Sequence, residues 1–395
     1  MSLVVIDDHS LEDVLVQATI FSVPFGVFSI ETGFVNTSPP NLLIIITLAY
    51  FGTVVVPQEQ LRLSKVQVYV LGLFCVIIAM ISVTLFVQQG SPRRLVTYIG
   101  YLLLTTILFL YVDSISDAER VLRVAFLSAV VISILTIVHS VTYPVGLPFG
   151  QDYLGQRTVA GVTVPFQRTL GLPEMSYGGF GKILMIGVPY YLYVGLKERG
   201  KVILLGVSLV LLAVLISQSR STWVAAGLAV FTVVSGYIMK EHRRKVKITY
   251  SLGIILPAIL LIPTAIDALV SVRSDTFTSR IEQYRAALDF LRSNPVVGVG
   301  LGNVNQFYSV HSIHSEFLRI GAEAGAVTLL TIVAVWVIST LSIIKGIFSS
   351  SARYALGVGI LASIGAMIIE ANMAPGFGKS SWIILAIGLG IYSAD

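Results

Sequence analysis

Three arginines and one histidine stand where a very apolar chain would not be expected to carry them. Arg220 lies in Gln218-Ser-Arg-Ser-Thr-Trp223 between two apolar runs, and Arg280 opens a charged, helix-like run. Arg168 falls in Phe166-Gln-Arg-Thr-Leu-Gly-Leu-Pro173. His314 sits in His311-Ser-Ile-His314-Ser-Glu-Phe-Leu-Arg319, just before another apolar run. A guanidinium presents a planar fork of donors that matches phosphate and diphosphate bidentately. A histidine at a membrane edge is neutral near pH 7 and can take a proton from a hydroxyl. The plainer readings are a snorkelling end residue for Arg220 and a hydrogen-bonded interfacial histidine for His314. Arginine so close to hydrocarbon is costly unless it is paired or lines a wet cavity. Together the four residues make the physical case for a lipid-phosphate site. Arg285 and Arg319 are counted as further substrate contacts. Glu323 and Glu370 are intramembrane carboxylates that either pair with Arg319 or another cation, or mark an ion path.

The elements that must position these residues are membrane helices. Hydrophobic residues make up 55% of the 395 and charged residues only 12%, against about 25% charged in soluble domains. The fold class expected is all-α, a polytopic integral membrane protein of about 12 transmembrane helices forming one membrane domain over 1–395. Helical spans need ~20 apolar residues, because every backbone polar group must be satisfied inside the bilayer. The candidates are 13–31, 41–57, 66–88, 95–113, 121–143, 179–196, 201–217, 221–240, 249–271, 317–345, 353–372 and 380–394. Met1–Asp13 is acidic and lacks a signal peptide's basic start, so the first span is expected to be a retained anchor.

Orientation follows from Lys and Arg in short loops. With a cytoplasmic N-terminus, the inner loops hold Arg62, Lys65, Arg120, Arg123, Lys197, Arg199, Lys201, Lys240, Arg243, Arg244, Lys245, Lys247, Lys345 and Arg353. The short outer connections hold only Arg93, Arg94, Arg220 and Lys379. Both termini are then inside, in a plasma (inner) membrane protein, and two longer segments, 144–178 and 272–316, lie outside. The second carries Ser279–Arg292, an amphipathic helix with Ile281, Tyr284, Leu288 and Leu291 on its apolar stripe. Asn294-Pro295 ends it.

Several classes of function are excluded. The net charge of +5 reflects topology, and no basic tail or aromatic-interleaved patch points to nucleic acid. Cys75, the only cysteine, lies in an apolar run and reads as a small buried residue. No Walker A sequence is present. Gly298-Val-Gly-Leu-Gly302 lacks the strand, helix and acidic residue of a dinucleotide loop. It is expected instead to form a close-packed turn that brings the loop back to the membrane. No His/Cys/carboxylate cluster has metal-site spacing, His311 and His314 beside Glu316 being the nearest approach. No metal and no cofactor is therefore expected.

These residues resemble the O-antigen ligase and polymerase superfamily of membrane glycosyltransferases. His314-Ser315, followed by Gly325-Ala-Val-Thr328, is similar to that family's histidine signature and its downstream small-residue turn. Ser279-Arg280, Tyr284 and Asn294-Pro-Val-Val-Gly-Val-Gly300 resemble its approach to the histidine. Ser219-Arg-Ser-Thr-Trp223 resembles its arginine-containing turn. Arg168-Thr-Leu-Gly171 resembles its Arg-x-x-Gly run, with Pro173-Glu174 replacing the usual Pro-Asn. The likeness covers mainly 165–330. It implies a polyprenyl-diphosphate-linked glycan as donor and a glycolipid or glycan acceptor hydroxyl, met at the outer face among membrane lipids without nucleotide sugar or metal. His314 is then the expected general base, with Arg220 and Arg280 as a diphosphate clamp and Arg168 as a possible third member. Ligase and polymerase stay undivided. The alternative from another class is a flippase or secondary transporter for a lipid-linked or anionic solute, which broken helices and paired half-chain repeats would favour.

Overall fold

The computed structural model describes residues 11–27, 30–32, 35–55, 63–88, 90–142, 151–159, 162–170, 177–242, 246, 274–304, 313–349, 353–373 and 378–392. The architecture is all-α, with two small antiparallel hairpins attached. The helices are α1 (Leu11–Ser22), α2 (Pro39–Tyr50), α3 (Lys65–Gln88), α4 (Pro92–Tyr111), α5 (Ile115–Val141), α6 (Tyr177–Leu184), α7 (Val188–Glu198), α8 (Lys201–Ile216), α9 (Arg220–Glu241), α10 (Ser274–Ser293), α11 (Glu316–Ser349), α12 (Tyr354–Met373) and α13 (Lys379–Tyr392). One hairpin pairs β1 (Ile30–Thr32) with β2 (Val35–Thr37). The other pairs β3 (Gln151–Val159) with β4 (Val162–Leu170) in the first long loop, where the sequence offered no strand.

Among the described residues six helices are long and apolar enough to cross a membrane: α3, α4, α5, α9, Glu316–Ile347 of α11 and Tyr354–Asn372 of α12. Shorter apolar helices cover Pro39–Val55, Lys201–Ile216 and Lys379–Tyr392. The ninth candidate span, 249–271, lies outside the described residues. Two candidates are broken by identifiable residues. The first stops at Ser22, where Pro24 and Gly26 tighten the chain into the 3-10 turn Val23–Val27. The sixth divides at 185–187 into α6 and α7, with Pro189 in the first turn of α7. There the freed Ile186 carbonyl accepts from the Ser363 hydroxyl, 3.3 Å away.

Polar punctuation fixes helix starts. Ser114 and Asp117 form a reciprocal capping box at the head of α5, each side-chain oxygen 3.2 Å from the other residue's backbone nitrogen. Burial then arranges the bundle. Every residue of α13 from Ser380 to Tyr392 is buried, as expected of a helix that is apolar all round. Its Trp382 meets Phe74 of α3 at 4.6 Å between ring centres and Trp336 of α11 at 6.4 Å. Cys75, next to Phe74 in α3, is exposed and not buried, because it lies on an apolar side of that helix that none of the described helices covers. Helix α9 packs along α12, and α10 lies against α11. Arg220 and Lys240 stand at opposite ends of α9, Arg220 at its first turn and Lys240 in its last. The far end of the bundle has its own polar fastening: Asp13 accepts from Tyr111 Oη at 2.6 Å and pairs with Arg120 at 3.2 Å.

Candidate active site

The amphipathic helix α10 forms as expected but buries a different stripe. Gln283, Ala286 and Ala287 are buried, Leu288 is exposed, and Glu282, Arg285, Asp289 and Arg292 face outward. Small side chains win here because α10 sits close against α11, where Ala287 clusters with Ala322, Val299, Val304 and Ile313. Leu288, read from periodicity as apolar contact, lies off that seam.

The buried amide of Gln283 reaches the residue of greatest interest. Gln283 Oε1 accepts the His314 backbone N–H at 3.2 Å. His314 itself is half-buried. Burial holds its imidazole below the usual histidine range, and the positive charge of Arg280 lowers it further. His314 and Arg280 are therefore electrostatic neighbours. Next along, Ser315 Oγ donates to Asn372 Oδ1 at 3.1 Å near the end of α12. Tyr284 of α10 donates to the Asn372 carbonyl at 3.2 Å.

Two residues earlier in α12, the buried carboxyl of Glu370 lies beside the hydroxyls of Thr222 and Ser221 and is attracted by Lys182 of α6. A Cβ on Gly181 would come within 2.6 Å of both Glu370 Oε1 and Thr222 Oγ1, so glycine is what lets α6 approach. Thr222 and Ser221 belong to the turn that carries Arg220. That turn is tight, with Gln218 at φ 48°, and is laced by hydroxyls: Thr222 Oγ1 donates to Ser219 Oγ at 2.9 Å, and the Trp223 indole N–H donates to the Val214 carbonyl at 2.9 Å. Arg220, Arg280 and His314 thus belong to one polar end of the bundle, joined through the last turn of α12.

The glycine run is a structural clasp. Helix α11 is interrupted at Gly325 (φ 84°, ψ 171°). Val299 and Gly300 N–H donate to the Ala322 and Glu323 carbonyls at 2.9 and 3.0 Å, and Ala326 N–H donates to Pro295 O at 2.7 Å. Gly298, Gly300 and Gly302 all have positive φ. A Cβ at Gly298 would lie 2.5 Å from the Glu323 carbonyl oxygen. The run also fastens to the α3–α4 turn, where Ser91 N–H donates to Leu301 O at 2.8 Å and Asn303 Nδ2 to Gln88 O at 3.2 Å. It does bring the loop back onto the helices, as the sequence indicates.

Beneath the clasp the intramembrane charges pair off. Glu323 forms an ion pair with Arg94 and receives the Gly302 N–H. Arg319 pairs with Glu316 one turn back in its own helix. Arg285 is exposed on α10. Arg168 lies in β4, its backbone opposite Tyr153, and β4 contacts α5. His311 lies outside the described residues.

Residues 205–333 match the family model described as O-antigen ligase. Over that stretch the chain is similar to the O-antigen ligase family. No curated protein matches the chain. The matched stretch runs from α8 through the Gly325 break, so it holds Arg220, Arg280, Arg285, His314 and Arg319, while Arg168 and Asn372 lie outside it. With six helices among its described residues long and apolar enough to cross a bilayer, the protein is an integral membrane protein, similar over 205–333 to the O-antigen ligase family. Asn372, Gln283, Lys182 and Arg94 were missed from sequence. For Lys182 the signal was available, since an ionisable residue inside an apolar run is itself notable. For Gln283 and Asn372 there was none, because their importance comes from partners 31 and 57 residues away in sequence.

Proposed function

We propose that this protein transfers a glycan from a polyprenyl-diphosphate carrier to an acceptor hydroxyl at the outer leaflet, as an O-antigen ligase or polymerase. The observation that carries this reading is the pairing of a half-buried, neutral-leaning His314 with Arg280 on an end of the bundle shared with Arg220. In the reaction, the bond between the sugar's anomeric carbon and the diphosphate oxygen breaks. A bond from that carbon to the acceptor oxygen forms. The hydroxyl proton passes to the free nitrogen pair of His314, for which a depressed proton affinity keeps the base form available near neutral pH. The electron pair leaves with the lipid diphosphate, whose charge Arg220 and Arg280 stabilise. Arg168 and Arg285 are further contacts to the glycan or phosphate. Arg319, held by Glu316, lends its charge to the floor of the site.

The broken helices at 185–187 and Gly325 are the observation that favours a transporter. At Gly325, however, the backbone groups released by the break are taken up by the 295–300 loop, which leaves them no ion to coordinate. The deciding experiment reconstitutes the pure protein with a polyprenyl-diphosphate oligosaccharide, with and without a glycolipid acceptor. Longer glycans without acceptor mean polymerase, and transfer only with acceptor means ligase. Movement between leaflets with every glycosidic bond intact would overturn the proposal.

A further inference from the structure

Three features outside the proposed chemistry invite a role. The first is the Lys182–Glu370 pair in the bundle, and the second is the Arg94–Glu323 pair under the glycine clasp. The third is the last turn of α12, and it reaches furthest, because through Glu370 and Asn372 it touches the segments that bear Arg220, Arg280 and His314. Asn372 accepts from Ser315 Oγ, the neighbour of His314, and its backbone carbonyl accepts from Tyr284, on the helix that bears Arg280. Its own amide is fixed, with Nδ2 donating to the Ile368 carbonyl at 2.8 Å, which turns Oδ1 toward Ser315. Ser315 Oγ in turn lies 3.4 Å from the Leu318 nitrogen at the head of α11. Gln283 completes the frame by holding the His314 backbone from the α10 side. The segment that carries the imidazole is thus held by two bonds, one from α10 to the His314 backbone N–H and one from α12 to the Ser315 hydroxyl.

We infer that Asn372 is a positioning residue, fixing the His314 loop and α10 to the same point so that the histidine faces the acceptor hydroxyl beside Arg280. The inference rests on the transferase reading above. A side chain that only packed α12 would be equally served by any isostere. One that holds the loop through Oδ1 needs an acceptor atom at that place. Asparagine supplies it without adding a charge that would raise the proton affinity of the neighbouring imidazole.

The test uses the full-length protein in liposomes with a polyprenyl-diphosphate oligosaccharide and a glycolipid acceptor, following transfer rate, donor affinity and the pH–rate profile. Asn372→Leu removes the acceptor and is expected to lower kcat roughly tenfold or more with donor affinity nearly unchanged, the scale of one lost hydrogen bond. Asn372→Asp restores an acceptor oxygen. It should keep much of the rate, with the rise in rate moved to higher pH, because the added carboxylate favours the imidazolium. Ser315→Ala should mimic Asn372→Leu, and the double variant should be no worse than either single one, since both remove one shared bond. If Asn372→Leu does not fold, Ser315→Ala and Asn372→Asp carry the test alone. Additive losses, or an Asn372→Asp profile that keeps the wild-type pH dependence, would overturn the positioning role. His314→Ala in the same assay separates the two readings. Full transfer by that variant sinks the transferase mechanism. Its inactivity alongside wild-type behaviour of the Asn372 and Ser315 variants sinks only the positioning role.

Discussion

At the scale of single residues the proposal turns on three side chains with two tasks, taking a proton and holding a diphosphate. In the proposed reaction His314 removes a proton, so His314→Ala should cut turnover by about 10²–10⁴-fold while donor binding, assigned to the arginines, stays nearly intact. The pH dependence has a definite sign. Burial and Arg280 both disfavour the imidazolium, so the proton is lost at lower pH than in a free histidine. The rate should then rise through a midpoint below the ordinary value of about 6.5. Replacing Arg280 by Gln removes one of the two causes, and the residual rate should rise at a higher pH than in the wild type. Arg280→Lys keeps the charge and should leave that midpoint in place. A pH–rate series on the three proteins checks this, and an unmoved midpoint in Arg280→Gln would show that the titrating group is not His314. Arg220→Lys and Arg280→Lys should nonetheless lose most of their rate. An ammonium cannot reproduce the planar fork, and the loss of one such contact costs on the order of 2–4 kcal/mol in the transition state. Near-normal turnover at normal expression would mark both as snorkelling residues.

At the scale of elements, the site depends on a helix that is interrupted and a loop that fills the interruption. Gly298 and Gly325 are held at φ 66° and 84°, which costs a side-chain-bearing residue roughly 1–2 kcal/mol each before any clash. Clash follows, because Cβ atoms there would run into the Ala322–Glu323 backbone and the Val296 carbonyl. Gly298→Ala and Gly325→Ala are therefore expected to lower the thermal midpoint clearly and, in the proposed reaction, to reduce transfer, since the clasp adjoins Glu316 and Arg319 in α11. Gly72 in α3 provides the contrast, since a methyl group added there would meet nothing within 4 Å. Gly72→Ala should be neutral or stabilising by about 0.5–1 kcal/mol. Thermal unfolding in detergent compares the three, and equal tolerance at all three positions would remove the clasp from the argument.

At the scale of the whole molecule the prediction is topological. Helix α9 carries Arg220 at one end and Lys240 at the other, so the site and the 241–247 loop fall on opposite faces of the membrane. On the short-loop charge bias that loop is expected in the cytoplasm. Single cysteines placed at Arg285 and in the 241–247 loop, in a Cys75→Ala background, should react in that order with an impermeant thiol reagent applied to intact cells. Labelling of the 241–247 loop first would invert the molecule and place the site on the cytoplasmic face.

Sequence alone determined the class and the polar residues. Apolar runs of about 20 residues have one solution in a bilayer, and arginines, histidine and glutamates interrupting them announce themselves by their cost. The glycine run was legible for the same reason, since positions that need positive φ leave a trace in residue type. Where runs were short or held proline, sequence blurred: 13–31 stops at Ser22, and 179–196 splits at 185–187. The pairing of charges was not legible at all. Glu323 takes Arg94, 229 residues away, while Arg319 turns to Glu316 in its own helix. Nothing in local spacing ranks those choices. Nor could it show that the buried seam of α10 runs through Gln283, Ala286 and Ala287, because that depends on how closely α11 approaches. The tertiary structure decided which neutral residues matter. Gln283 and Asn372 carry no charge and break no pattern. They matter only because folding brings their amides to His314 and Ser315, where a hydrogen bond fixes a direction that sequence does not encode.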